Sequence, residues 1–352
     1  MPCPHRLAAA LAATAAALVT TPASASPWTL PRGTIVFQGT FQYQTATREF
    51  FERGPSRSFP LNGHYVGNTF TLGLRAGITE RLELEVALPI RTVAYTSDPV
   101  ILAQRDPAST QPAADFYRRN IINLSRTATG IGDLYLSARY RLALRPFAVA
   151  VGLRLKAPTG YVGPSGTFGD RPQSAAEFAR SPERYADPEN VRDDVTLGDG
   201  QLDLQPELLL GYAFPTRTFL RIDAGFNGRF GGAGQQVVGA VRAGQSVGAS
   251  LLFYAWAQAC VSVTGGRVIG VSVAAQDPDL PAVEYDGTRN LLLRELRLER
   301  DLVEFGVGAI VRVNRDVELN LGYTRGLWGR NVALTDTLFA SIGVRTQVPG
   351  LQ

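Results

Sequence analysis

Segment after segment of this chain alternates apolar and polar residues over about ten positions. That is the period of a strand with one buried face and the length of a tilted strand crossing a bilayer. Between residues 33 and 44 one face carries Ile35, Phe37, Gly39, Phe41 and Tyr43, and the other carries Thr34, Gln38, Thr40, Gln42 and Gln44. Residues 81–90 are the sharpest case, with Leu82, Leu84, Val86, Leu88 and Ile90 alternating with Arg81, Glu83, Glu85 and Ala87. The same pattern predicts strands over 131–142, 147–157, 202–212, 220–230, 305–313, 317–323 and 338–348, with fainter ones over 242–256 and 260–273.

The joints between these segments alternate in length. Tight ones fall at Thr79-Glu80, near 143–145, at Pro215-Thr216-Arg217, near Ala257-Gln258 and at Asn314-Arg315-Asp316. Between them lie long stretches rich in Pro, Gly and Asp: 46–65, 91–129, 158–199, 231–239, 274–300 and 326–335. Six long and five short joints give twelve strands, within bounds of ten to fourteen, and put both termini on one side. An all-β fold follows: a single transmembrane antiparallel β-barrel with short periplasmic turns and long extracellular loops. A soluble β-sandwich also alternates, but it uses shorter strands, fewer charges on the polar face and no loops of this length.

Composition narrows the chemistry. Of 352 residues, 45% are hydrophobic and 19% charged, so the chain has a core or a membrane face to bury. Its 35 basic and 31 acidic residues leave a net charge of +4, and Lys156 is the only lysine. A surplus that small, spread along the chain, is no nucleic-acid signature. Residues 1–25 read as an export signal: His5 and Arg6, an apolar run from Leu7 to Leu18, then Ala23-Ser24-Ala25 as a cleavage site. The mature barrel is therefore expected over 26–352, with Cys260 and His64 as its single cysteine and histidine. That inventory offers no intramolecular disulfide, no His/Cys metal pair and no cofactor site.

Enzymatic motifs fare no better. His64 follows Pro60-Leu61-Asn62-Gly63 and reads as a loop residue at the rim, and no G-x-S-x-G sequence occurs. Residues 225–234 are glycine-dense without the context of a phosphate-binding loop. Asp187, Glu189, Asp193, Asp194 and Asp199 are acidic, but their spacing matches no calcium loop. A non-enzyme is expected.

Four short motifs are more distinctive: Gly77-Ile78-Thr79-Glu80-Arg81-Leu82-Glu83-Leu84, Gly130-Ile131-Gly132-Asp133-Leu134, Lys156-Ala157-Pro158-Thr159-Gly160 and Gly198-Asp199-Gly200-Gln201-Leu202-Asp203-Leu204. On these the chain resembles the outer-membrane transporter-like family labelled putative MetA-pathway of phenol degradation, over about residues 69–346. The resemblance implies an exported bacterial barrel associated with uptake of hydrophobic compounds. The chain departs from such barrels in ending Val348-Pro349-Gly350-Leu351-Gln352, without a terminal aromatic residue. The motif glycines suit strand ends, where bulges and positive φ are needed, and Asp133 and Asp199 suit hydrogen bonds to local backbone.

If the aliphatic faces contact lipid, strict parity turns Arg75, Glu83, Glu85, Arg139, Arg141, Arg154, Lys156, Asp203, Glu207, Arg221, Asp223, Arg229, Glu304 and Glu318 inward. Mutual bracing is the reading for most of them, and a solute-selecting water path is the alternative. Phe41, Tyr43, Phe70, Tyr95, Tyr140, Tyr212, Phe230, Tyr254, Trp256 and Tyr323 suit interfacial girdles. The expected function is a passive channel or uptake route for small, hydrophobic or aromatic solutes. The competing class is a plugged barrel whose outer loops bind a partner or surface polysaccharide. Expected surroundings are outer-membrane lipid, lipopolysaccharide and the barrel-assembly machinery, and the oligomeric state is left open.

Overall fold

The computed structural model describes residues 26–51, 53–101, 105–169, 171–180, 195–275 and 291–348. The expected signal segment and the acidic residues Asp187, Glu189, Asp193 and Asp194 lie outside the described residues.

Twelve strands close into one antiparallel ring among the described residues. They are β1 Thr34–Ala46, β2 His64–Gly77, β3 Leu82–Thr96, β4 in two pieces (Arg126–Ile131 and Leu134–Ala143), β5 Ala148–Ala157, β6 Leu202–Ala213, β7 Thr218–Phe230, β8 Gln236–Val247, β9 Leu251–Ser262, β10 Asp301–Arg312, β11 Val317–Arg330 and β12 Asp336–Gln347. Each pairs with its neighbours in sequence, and β1 closes the ring on β12 from Thr34↔Gln347 to Thr45↔Asp336. Closure leaves no unpaired sheet edge, as a lipid environment demands. No described helix is long and apolar enough to cross a membrane.

The outward face is aliphatic and aromatic, with Phe37, Leu84, Val86, Leu153, Ile222, Val307 and Ile342 all exposed. The inward face is polar, with Thr40, Gln42, Thr69, Thr71, Glu83, Arg139, Lys156 and Asp203 buried. Short side chains shape the tight turns. Thr79 Oγ1 accepts from the Leu82 amide at 2.9 Å, and Asn314 Oδ1 accepts from the Asp316 and Val317 amides at 2.8 Å. The break in β4 has a cause in β3: Pro89 has no N–H to donate. There the Gly132 amide donates to the Pro89 carbonyl at 2.9 Å, and Asp133 leaves the ladder.

The strand count is as expected, but two strands are displaced. Residues 242–256 do not form one strand, and 260–273 do not form the next. Instead β8 and β9 meet at a turn over 248–250, where Gly248 has φ +64°. The joint expected at Ala257-Gln258 lies in the middle of β9. Its inward face is apolar or aromatic at Leu252, Tyr254, Trp256 and Cys260, so period-two contrast fades and strand ends lose their signal. The expected 231–239 loop shrinks to 231–235. Val268–Ala275 belongs to a separate hairpin with Leu291–Arg297 in the long β9–β10 connection. β3 runs on to Thr96 and β4 begins at Arg126, so the loop expected from Arg91 is shorter at both ends. β11 likewise continues to Arg330. His64 opens β2 and is not a loop residue; its Nε2 lies 2.9 Å from the Thr45 hydroxyl.

Candidate functional site

The long-loop end of the barrel is closed from within. Residues 195–201 fold into the mouth and bury Val195 and Leu197 against Tyr65, Val93, Tyr95 and Phe59. Arg91 Nη1 donates to the Leu197 carbonyl at 2.7 Å. Three sequence-distant motifs meet beneath this insert. Lys156 Nζ lies 2.8 Å from Asp203 and 3.8 Å from Asp133, and it also pairs with Asp199. Arg229 binds Asp199 as well and sits 3.5 Å from Asp203. Tyr161 donates to Asp133 and accepts from the Gly200 amide at 2.9 Å. A Cβ at Gly198 would lie 2.6 Å from Asp133 Oδ1 and closer still to the Tyr161 hydroxyl, so the backbone passes there only as glycine. Burial alone would raise the Asp199 carboxyl, but Lys156, Arg229 and Arg300 hold it down to about 2. Asp199 does bond its local backbone, at the Gln201 amide, whereas Asp133 turns to Tyr161 and Lys156. The motif residues therefore form a latch that pins the loop inside the mouth.

The short-turn end carries a second closure. Residues 26–31 turn back into the barrel ahead of β1. The Leu30 amide donates to Glu83 Oε2 at 2.8 Å, and Thr29 and Leu30 are buried. Trp28 crosses to the far wall, edge-on to Phe219 of β7 at 6.3 Å and filling the space in front of Gly211 of β6. Glu83 also accepts from Arg139 at 2.6 Å, Arg139 bonds Glu85, and Arg75 stands 3.9 Å from Glu83. The strap is thus tied into the wall's own ion network.

Between the closures lies a cavity of about 150 Å³, lined among others by Glu85, Arg154, Glu207, Arg221, Asp223, Arg242, Trp256 and Cys260. A second, of about 120 Å³, lies nearer the short-turn end beside Arg75, Phe219, Tyr254 and Glu318. Arg242 lines both. On the adjoining wall Tyr254 and Trp256 stack at 5.4 Å, with Phe339 tilted 5.8 Å from Trp256. Gly306, Gly308 and Gly322 make room for them: a Cβ at Gly308 would lie 2.6 Å from Tyr254, and Cβ atoms at Gly306 and Gly322 would clash harder with Trp256 and Phe339.

Among the residues assigned inward by parity, Arg75, Glu83, Glu85 and Arg139 form one cluster and Lys156, Asp203 and Arg229 another. Arg154 faces Glu207 at 3.8 Å, and Arg221 grips Asp223 at 2.8 and 2.9 Å. Glu304 binds Gln258. Arg141 reaches back to the Glu80 carbonyl at the turn, and Glu318 stands near the short-turn rim. Arg242, the aromatic wall and the 26–31 strap escaped the parity reading. Three supposed girdle residues are corrected: Tyr95, Tyr254 and Trp256 are buried inside the barrel, whereas Phe41, Tyr43, Phe70, Tyr140 and Phe230 face outward and exposed. Tyr95 shares the parity of Glu83, and inward glycines opposite inward aromatics were the available signal for the others.

Fold comparison places this architecture. The chain is similar to the COG4313 outer membrane channel from Pseudomonas putida F1, at 14% identity and TM-score 0.56, over 90% of this chain and 97% of that one. It aligns more loosely with the translocator domain of autotransporter NalP from Neisseria meningitidis (13% identity, 89% and 88% covered, TM-score 0.42) and the CymD monoaromatic hydrocarbon channel (9%, 92% and 90%, 0.42). No family model and no curated protein matches the chain. The class is therefore a twelve-stranded barrel of the outer-membrane channel fold, and the expected transporter-type barrel is met at the level of that fold.

Proposed function

We propose that this chain is a bacterial outer-membrane barrel giving small, hydrophobic or aromatic solutes a passive route through a path that opens and closes. The observation that carries the reading is an internal cavity of about 150 Å³, part charged and part apolar, held between two closures. The strap is a short segment held by the Glu83 hydrogen bond and the Trp28 contacts, and the outer insert is a short segment held by the Asp199 ion pairs and one apolar cluster; elements of this size open locally without unfolding their scaffold. The aliphatic outer belt is solvated by lipid and, in the outer leaflet, by lipopolysaccharide. Residues 1–25 direct export, and the barrel-assembly machinery inserts the strands. The chain carries no catalytic role in this reading: His64 lies at the outer end of β2 beside Thr45.

Liposome flux of toluene and benzyl alcohol, with bilayer recordings of the refolded chain 26–352, tests the proposal. Flux above that of protein-free liposomes, with intermittent conductance, is expected. A folded barrel with neither would overturn it. The closed outer mouth would then favour the loop-binding alternative, which trimming within 97–125 would expose as loss of a partner.

A further inference from the structure

The charges around the central cavity are almost fully paired. Its lining cations are Arg154, Lys156, Arg221 and Arg242. Glu207 faces the first at 3.8 Å, Asp203 the second at 2.8 Å, and Asp223 grips the third. Arg242 alone among these described residues has no carboxylate within ion-pair distance. Its guanidinium instead lies over the rings of Tyr254 and Trp256, at 5.4 and 5.5 Å. Arg242 also stands directly opposite Arg221 across the β7–β8 ladder. Like charges in that relation oppose each other; Asp223 already offsets Arg221, which leaves Arg242 as the cation open to an arriving anion.

The neighbouring wall of the cavity carries the apolar side chains of Val238, Ala240, Trp256, Cys260 and Leu302, with Gln258 among them held by Glu304. Its volume of about 150 Å³ is that of an apolar cavity able to hold one benzene ring. We propose that Arg242 and this wall form a binding site for a monocyclic aromatic carboxylate, the ring against Val238, Trp256 and Leu302 and the carboxylate on the Arg242 guanidinium. The inference rests on the solute-path reading and names the solute class. A planar guanidinium matches a carboxylate with two parallel hydrogen bonds. A neutral hydrocarbon would leave that cation without an anionic partner.

The test is benzoate titration of the refolded barrel in detergent, followed by Trp256 fluorescence in a Trp28→Phe/Trp328→Phe background, with toluene as the uncharged probe. Expected are saturable quenching by benzoate, at least tenfold weaker binding in Arg242→Met, an intermediate effect in Arg242→Lys, and toluene binding unchanged throughout. Asp223→Asn, which frees Arg221, should tighten benzoate several-fold and serves as the second variant if Arg242→Met does not refold. Benzoate binding insensitive to both Arg242→Lys and Asp223→Asn, or no saturable benzoate binding, overturns the site. Because binding is read without flux, the two readings separate. Arg242-dependent binding in a barrel that passes nothing keeps the site and sinks the path; flux without such binding sinks the site alone.

Discussion

Glu83→Gln is the most informative single change, because one carboxylate ties the 26–31 strap to the barrel wall. Glu83 Oε2 accepts the Leu30 amide at 2.8 Å, and Oε1 accepts Arg139 Nη1 at 2.6 Å. Glutamine keeps the shape and removes the charge. A hydrogen bond to a charged group contributes about 1.5–3 kcal/mol, so the strap loses about 2 kcal/mol of its hold. At about 1.4 kcal/mol per factor of ten, its released population rises about thirtyfold. Arg139 keeps Glu85, so the buried cation is not orphaned and the barrel still folds. Trp28→Ala attacks the other anchor by removing the contact with Phe219 and the filling of Gly211. Single-channel recording gives the open fraction, and hydrogen exchange at Leu30 gives strap release independently. Both should rise in each variant, and the double variant should exceed either. Unchanged exchange and unchanged open fraction in both single variants, with heat-modifiable migration showing a folded barrel, would refute the strap as a closure.

The other closure has its own tests. The Asp199 carboxyl, held at about 2 in the folded chain against an ordinary 3.8, contributes stability that is present above that ordinary value and is lost as pH falls toward 2. Limited proteolysis of the 158–201 connection should therefore accelerate between about pH 4 and 2, and Asp199→Asn should already be cleaved fast at pH 7. Leu197→Ala removes a buried side chain from the apolar cluster of the mouth, at a cost of about 2–5 kcal/mol to docking. Conductance should rise in that variant, with the barrel's thermal transition unmoved. Gly306→Val puts a side chain where Trp256 lies, so near-ultraviolet circular dichroism should lose the Tyr254–Trp256 signature. An unchanged spectrum would mean that the stack is not seated on β10.

Period-two alternation by itself determined the class of this protein. Leu84 and Val86 on one side of β3 and Glu83 and Glu85 on the other demand a sheet with one apolar and one polar face, and ten-residue strands with long loops between them select a barrel with lipid outside over a soluble sandwich. Alternating joint lengths then pointed to an even count near twelve, within ten to fourteen, with both termini on one side. The pattern failed at β8 and β9, where Val238 and Ala240 on one strand and Leu252, Tyr254, Trp256 and Cys260 on the other put apolar side chains inside, because alternation reports contrast between faces and not their direction. Parity names a face but not a neighbour across the lumen. Lys156 and Arg229 flank Asp203 in one row of the β5–β6–β7 ladder, and Asp199 joins them only because the inserted loop folds back over that row. Trp28 reaches Phe219 because a closed barrel sets β1 opposite β7, and Arg242 remains unpaired because Arg221 opposite it holds Asp223. These distances depend on how far around the ring and how high each residue sits, and only the tertiary structure decided that.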